Sequence, residues 1–121
     1  MKPRVLIVDD EDMVSRVLAA FLSRRGFEVK TAASAEEALE LVGREKFGVI
    51  LLDNSLPGMT GMRAIEGLRA VGAAVILMTG HLDEETRKDG LMLGAAQVVG
   101  KPLDFDSLVA MVTRAAGGPQ I

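Results

Sequence analysis

Hydrophobic and polar positions follow two alternating periods along this chain. Residues 5–8 form a short unbroken apolar run, the pattern of a strand covered on both faces. Val14, Val17, Leu18, Phe21 and Leu22 then recur at helical spacing, which predicts a helix with that stripe turned inward. Arg24, Arg25 and Gly26 supply cations and a glycine suited to its C-terminal end. Residues 27–31 fit a short second strand. Ser34 and Glu37 form a capping box that opens a second helix, running to about residue 46 with Ala38, Leu41 and Val42 inward. Residues 48–53 give the clearest buried strand. Pro57-Gly58 marks a turn, and Met62, Ile65 and Leu68 mark a third helix. Residues 74–79 predict a fourth strand and 82–93 a fourth helix, softened by Gly90 and by a strongly polar first half. Residues 97–99 make a weak fifth strand. Asp104 caps a last helix that turns Phe105, Leu108, Val109 and Val112 inward.

Five strand-then-helix units imply a parallel α/β sheet with helices on both faces. Such sheets bind ligands beyond the carboxyl ends of the strands, where the strand order reverses. The first strand ends in Asp9-Asp10, the third in Asp53 and the fourth in Thr79, and the fifth runs into Lys101-Pro102. If the order is 2-1-3-4-5, the first and third strands lie about 4.8 Å apart, and their three carboxylates share one small cleft. Carboxylates that close together need a proton or a cation between them. Oxygen ligands without His or Cys select a hard ion, and Mg²⁺ is the usual one beside phosphate. Thr79, one strand from Asp53, and Lys101, two strands away, are able to reach a group carried on Asp53. The set reads as a site for a phosphoryl group on a carboxylate. Taken singly, Asp9 or Asp10 is a helix cap, Asp53 a turn residue, Thr79 a β former and Lys101 a solvated lysine. Their joint placement at four strand ends of one edge is what points to chemistry.

Composition narrows the alternatives. The 121 residues suit one domain, 49% of them apolar and 26% charged, as in an ordinary globule. Net charge is −3 and the 14 Lys and Arg are scattered, which disfavours a nucleic-acid surface. The absence of cysteine excludes disulfides and thiolate chemistry, and a single histidine, His81, excludes a multi-His metal centre. Four Phe, with no Tyr or Trp, leave little for stacking bases. Neither glycine-rich phosphate loop, G-x-G-x-x-G or G-x-x-x-x-G-K-[ST], follows the first strand. No apolar run approaches the roughly 20 residues of a membrane span, and the N-terminus is too short for a secretory signal, so the expected location is cytoplasmic with no membrane contact.

From about Arg4 to Ala116 the sequence resembles the receiver domains of two-component response regulators. The matching pieces are Leu6-Ile-Val-Asp-Asp-Glu11, Leu51-Leu-Asp53, Leu56-Pro-Gly-Met-Thr-Gly61, Leu77-Met-Thr79 and Lys101-Pro102. The resemblance implies a flavodoxin-like doubly wound (βα)5 fold, with a five-stranded parallel sheet in order 2-1-3-4-5. It implies one receiver domain over residues 1–121, with a core of about 4–116 and a linker or tail at 117–121. Asp53 matches the phosphoacceptor, which takes a phosphoryl group from the phosphohistidine of a histidine kinase or phosphotransfer protein. Asp10 matches the direct Mg²⁺ ligand and Asp9 the acid acting largely through water, while the Ser55 backbone carbonyl matches the one completing the metal shell. Thr79 and Lys101 match the hydroxyl and ammonium that hold phosphoryl oxygens. The Lys101-Pro102 bond is expected to be cis. The domain is then a phosphoacceptor switch rather than an enzyme, although able to promote its own phosphorylation and hydrolysis.

Some positions depart from the family pattern. Val98 stands where an aromatic residue normally reports phosphorylation, Gly80 where Ala or Ser is commoner, and Thr60 where Asp is frequent. His81 lies near enough to affect water access to a phosphoryl group, but a surface histidine with no catalytic role is the favoured reading. Leu91, Met92, Val99, Leu103 and Met111 make the face of helix four, strand five and helix five rather apolar, a candidate surface for an effector domain or self-association. Two other functions compete. A degenerate receiver binding partners without phosphorylation would draw on the missing aromatic. A Mg²⁺-dependent aspartyl-phosphate hydrolase would more often carry Asp-x-Asp on its first strand and a cap over its substrate.

Overall fold

The computed structural model describes residues 2–101 and 104–117. Its elements alternate strictly: β1 (Arg4–Val8), α1 (Asp12–Arg24), β2 (Glu28–Ala32), α2 (Ala35–Val42), β3 (Val49–Asp53), α3 (Gly61–Arg69), β4 (Ala74–Thr79), α4 (Glu84–Met92), β5 (Gln97–Gly100) and α5 (Phe105–Ala115). The strands form one parallel sheet in the order β2-β1-β3-β4-β5. This is the flavodoxin-like doubly wound arrangement, with order reversing between β1 and β3.

Alternation along the strands divides the interior in two. Leu6, Val8, Ile50, Leu52, Val75 and Leu77 face α2 and α3, where Ala38, Ile65 and Leu68 close the layer. Val5, Ile7, Val49, Leu51, Ile76 and Met78 face the other way, onto Leu18 and Leu22 of α1 and Leu108 and Val112 of α5. β3, in the middle, is buried at all five positions, whereas β2, at the edge, buries only Ala32. Continuous apolar runs therefore mark the central strands, and the polar Glu28-Val-Lys-Thr-Ala32 marks an edge.

Several expectations shift. α2 stops at Val42, with Gly43 as its C-cap, and does not reach residue 46. Ser34 caps it as expected, accepting from Glu37 N at 3.1 Å, but the Glu37 carboxylate accepts from Ala33 N at 2.6 Å, one residue outside the usual box. α4 is shorter than 82–93 because Asp83 caps it, accepting from Thr86 N at 2.7 Å. Val17 and Phe105, expected inside, are 50% and 37% exposed, while Leu18 and Leu22 are buried as expected and Ser15 is buried with them. Gly90 is no weak point: it is buried, and a Cβ there would lie 2.7 Å from Val98 Cγ2 and 3.3 Å from Leu77 Cδ2. The missing side chain lets α4 lie directly on β4 and β5, and Val98 fills that contact.

Candidate functional site

The site lies where the carboxyl ends of β1, β3, β4 and β5 meet. Asp9 follows β1 and extends its ladder by donating its N–H to Ala32 O at 3.0 Å. Asp53 closes β3, opposite Met78 of β4, and Thr79 closes β4 opposite Gly100. Lys101 follows β5 and donates its N–H to Thr79 O at 2.8 Å. Asp9, Asp53 and Thr79 are all but fully buried, whereas Asp10 is exposed.

Oxygens of Asp9, Asp10 and Asp53 lie within 4.8 Å of one another. Lys101 Nζ stands 3.2 Å from Asp53 Oδ1 and 3.4 Å from Asp9 Oδ2, so one ammonium bridges the two buried acids. Two backbone donors complete their shells: Glu11 N to Asp9 Oδ1 at 2.9 Å and Ser55 N to Asp53 Oδ1 at 3.1 Å. Burial alone would pull the Lys101 pKa down, but attraction and hydrogen bonding from Asp53, then from Asp9, outweigh it and hold the ammonium above its ordinary 10.5. Three carboxylates against one ammonium still leave an excess of negative charge. The donor set is all oxygen, partly buried and open on the Asp10 side, which fits a hard divalent cation.

Asp9 is no simple helix cap. Glu11 is the N-cap of α1 without a side-chain bond, and Asp9 turns its carboxylate toward Lys101 while its carbonyl accepts from Ser15 Oγ at 3.4 Å. Thr79 is where the sequence implies, but its hydroxyl is turned into its own loop, donating to His81 O at 3.3 Å and accepting from His81 N at 3.2 Å. The imidazole of His81 is exposed and points to Asp83, with Nε2 3.3 Å from Oδ2. Ser55 is in the loop after β3, exposed and two residues beyond Asp53. Pro102 and Leu103 fall outside the described residues, and with them the expected cis bond.

Two features escaped the sequence. An open apolar groove of about 640 Å³ runs between α1 and α5 beside the carboxylates, lined by Met13, Val17, Met78 and Phe105, with Glu11 and Lys101 at its lip. Phe105 is held there against Phe21, ring centroids 4.7 Å apart, and Arg25 covers the Phe21 ring at 4.6 Å. The second is the pinning of the loop after Asp53 onto the start of α3 through Asn54. Exposed apolar residues on helical spacing look like core residues in a sequence, which is why the groove was not foreseen.

A doubly wound sheet with an acidic, lysine-bridged pocket at its switch point defines a class of α/β domains that bind ligands at the carboxyl ends of their strands. Within that class, the residue profile of the response regulator receiver domain matches residues 5–113, and the chain belongs to that family. It is 40% identical over 114 residues to the regulatory protein AtoC of Escherichia coli (strain K12), covering 93% of this chain and 25% of AtoC. It is 35% identical over 113 residues to the transcriptional regulatory protein SrrA of Staphylococcus aureus (strain NCTC 8325 / PS 47), covering 93% of this chain and 47% of SrrA. The chain thus spans a quarter to a half of these relatives. Among solved structures, a CheY-like receiver domain protein from Methanospirillum hungatei JF-1 superposes with a TM-score of 0.91 at 29% identity, covering 97% of this chain and 95% of that one. A Burkholderia pseudomallei response regulator, described with a phosphorylated aspartic acid, calcium ion and citrate, gives 0.87 at 30% identity, covering 96% and 69%. Receiver domains act in two-component signalling, and the acidic cluster that suits phosphorylation and Mg²⁺ is present here.

Proposed function

We propose that Asp53 is the phosphoacceptor of a Mg²⁺-dependent switch over a single receiver domain, residues 1–121 with a core of about 4–116. The observation that carries this reading is the Asp53 carboxylate, buried at a strand end yet bonded to Lys101 and within reach of Asp9 and Asp10. An Asp53 oxygen attacks the phosphorus of a phosphohistidine, the P–N bond breaks, and the imidazole leaves with its electron pair as an acyl phosphate forms. Asp10, Asp53 and the Ser55 carbonyl would hold Mg²⁺ directly, with Asp9 acting through water. Bound there, the ion supplies charge neutralisation for the incoming phosphoryl oxygens. Lys101 follows the phosphoryl group as its ion pair. Thr79 must first give up its bond to His81 O, because its hydroxyl has one proton to donate. The calcium ion and phosphorylated aspartic acid described for the Burkholderia protein support this reading. Since the acceptor is the chain's own side chain, the domain is a signalling element and not a turnover enzyme.

Incubation with Mg²⁺ and acetyl phosphate adds one phosphoryl group by intact mass, and Asp53→Asn takes up none. Absence of the adduct in the parent chain would favour a degenerate receiver, and turnover of unrelated phosphate esters a hydrolase.

The donor is a histidine kinase or phosphotransfer protein, and the groove beside Lys101 offers it an apolar seat. Val17→Glu is expected to slow transfer from a phosphohistidine protein that labels the parent chain by about tenfold, the effect of losing roughly 1.4 kcal/mol of contact. Labelling by acetyl phosphate, which needs no seat, stays unchanged. Equal loss with both donors would place the effect in the fold. Output runs through the α4, β5 and α5 face to an effector domain or a second copy. There Leu91 and Met92 are exposed, whereas Val99 and Met111 are half-buried against the α1 and α5 layer. Among the described residues no helix is long and apolar enough to cross a membrane, and a cytoplasmic location is part of the same proposal.

A further inference from the structure

The loop that carries Ser55 is tied down by a residue outside the proposed phosphoacceptor and metal set. Asn54 donates its N–H to Met78 O at 2.8 Å, extending the pairing of β3 with β4 one residue past Asp53. Its side-chain Oδ1 accepts from Met62 N at 3.0 Å, and its carbonyl accepts from Gly61 N at 3.4 Å. Two of the amides that α3 leaves without helical partners therefore end on Asn54, while the third, Arg63 N, ends on the N-cap Thr60 at 3.3 Å. The segment 54–62 is thus closed into a ring, with Ser55 next to its closure. Ser55 itself is tied back through its N–H to Asp53 Oδ1.

Resting on the metal site proposed above, we infer that Asn54 is a positioning residue that holds the Ser55 carbonyl rigidly and so sets the preference of the site for Mg²⁺ over Ca²⁺. The reason lies in the two ions. Mg²⁺ demands near-ideal octahedral geometry at short distances, whereas Ca²⁺ accepts longer and irregular shells. A carbonyl ligand free to drift by a few tenths of an ångström weakens the smaller ion and leaves the larger one nearly unaffected. Removing the Asn54 acceptor frees Met62 N and loosens the ring at that end.

Titration calorimetry of the purified chain with MgCl₂ and separately with CaCl₂ tests this. Asn54→Ala is expected to lower Mg²⁺ affinity by about tenfold, the lower end of what loss of a supporting partner costs a metal site. Ca²⁺ affinity should fall much less, so the ratio of the two collapses. Asn54→Asp keeps an acceptor of the same shape; its added charge strengthens both ions and leaves their ratio as in the parent. A parallel fall in both affinities, or no change in either, overturns the inference. If Asn54→Ala does not fold, Asn54→Gln, whose acceptor sits one bond farther out, must show the same collapse. Failure of the underlying site has a separate signature: the parent chain would bind neither ion, or Asp53→Asn would bind Mg²⁺ as tightly as the parent.

Discussion

Lys101→Met lowers the stability of the protein by about 3 kcal/mol in the absence of divalent cations, and saturating Mg²⁺ makes the loss smaller. Among the described residues, this ammonium is the one cation bonded to both Asp9 and Asp53, whose side chains are 0% and 2% exposed. Methionine keeps the length and apolar stem of lysine, so packing changes little and the charge is what is removed. Breaking a buried ion pair by deleting one partner costs about 3–5 kcal/mol, because the remaining carboxylates stay buried without compensation. The lower end applies because the Lys101 side chain keeps 25% of its exposure. A cation among the same carboxylates takes over the role of the lysine, so the variant binds Mg²⁺ more tightly than the parent, and each tenfold difference in dissociation constant recovers about 1.4 kcal/mol of the loss. Urea denaturation with EDTA and then with Mg²⁺ measures both halves. Equal losses under the two conditions would mean that lysine and metal do not share ligands. Because the Lys101 pKa is raised, its contribution is complete below the ordinary 10.5 and disappears only as pH rises through the higher folded value. The difference between parent and variant is therefore constant across the neutral range.

The parts of this molecule that were legible in the sequence are those where one residue type has one physical use. Unbroken apolar runs at residues 5–8 and 48–52, followed directly by acids, specify central strands with carboxylates at their ends. The strand order, which sets β1 beside β3, then brings Asp9, Asp10 and Asp53 to one edge of the sheet. Legibility fails where identity is ambiguous. Val17 has the spacing of a core residue, but α1 turns Ser15 inward and leaves Val17 at the groove. Glycine inside a helix reads as a propensity cost, yet at Gly90 the same absence of a side chain is what allows α4 to touch Val98. Asn54 looks like an ordinary loop residue, because its partner is eight positions away across a helix end. Thr79 ends β4 where the apolar run of that strand stops, but the direction of its hydroxyl depends on a local turn with His81 that no spacing encodes. Propensity and period thus predicted the scaffold, and close tertiary contacts decided the rest.

Those close contacts are sharpest at Gly61, and Gly61→Ala is expected to cost about 3 kcal/mol and to slow phosphorylation of Asp53 as well. A Cβ at this position would overlap the Asp53 carbonyl oxygen and lie 2.9 Å from both Asn54 Cα and Asp53 C. Its φ is not positive, so the requirement is one of space and not of backbone conformation. All three obstructing atoms are backbone at the end of the fully buried central strand, which cannot swing aside as the tip of a leucine can. Either α3 backs away, breaking the bonds from Gly61 N and Met62 N to Asn54, or the Asp53 peptide moves and carries the carboxylate with it. The gain from replacing glycine by alanine in a helix, at most about 1 kcal/mol and less at its first residue, does not offset this. Gly80→Ala is the matched control: it also lies beside the site, but a Cβ there meets nothing within 4 Å, so its stability should stay within about 0.5 kcal/mol of the parent. Denaturation midpoints of the two variants, with their rates of labelling by acetyl phosphate, test the argument together. A Gly61→Ala protein as stable and as quickly labelled as Gly80→Ala would show that α3 does not press on the acceptor strand. A protein destabilised but labelled at the parent rate would show that α3 yields and Asp53 holds its place.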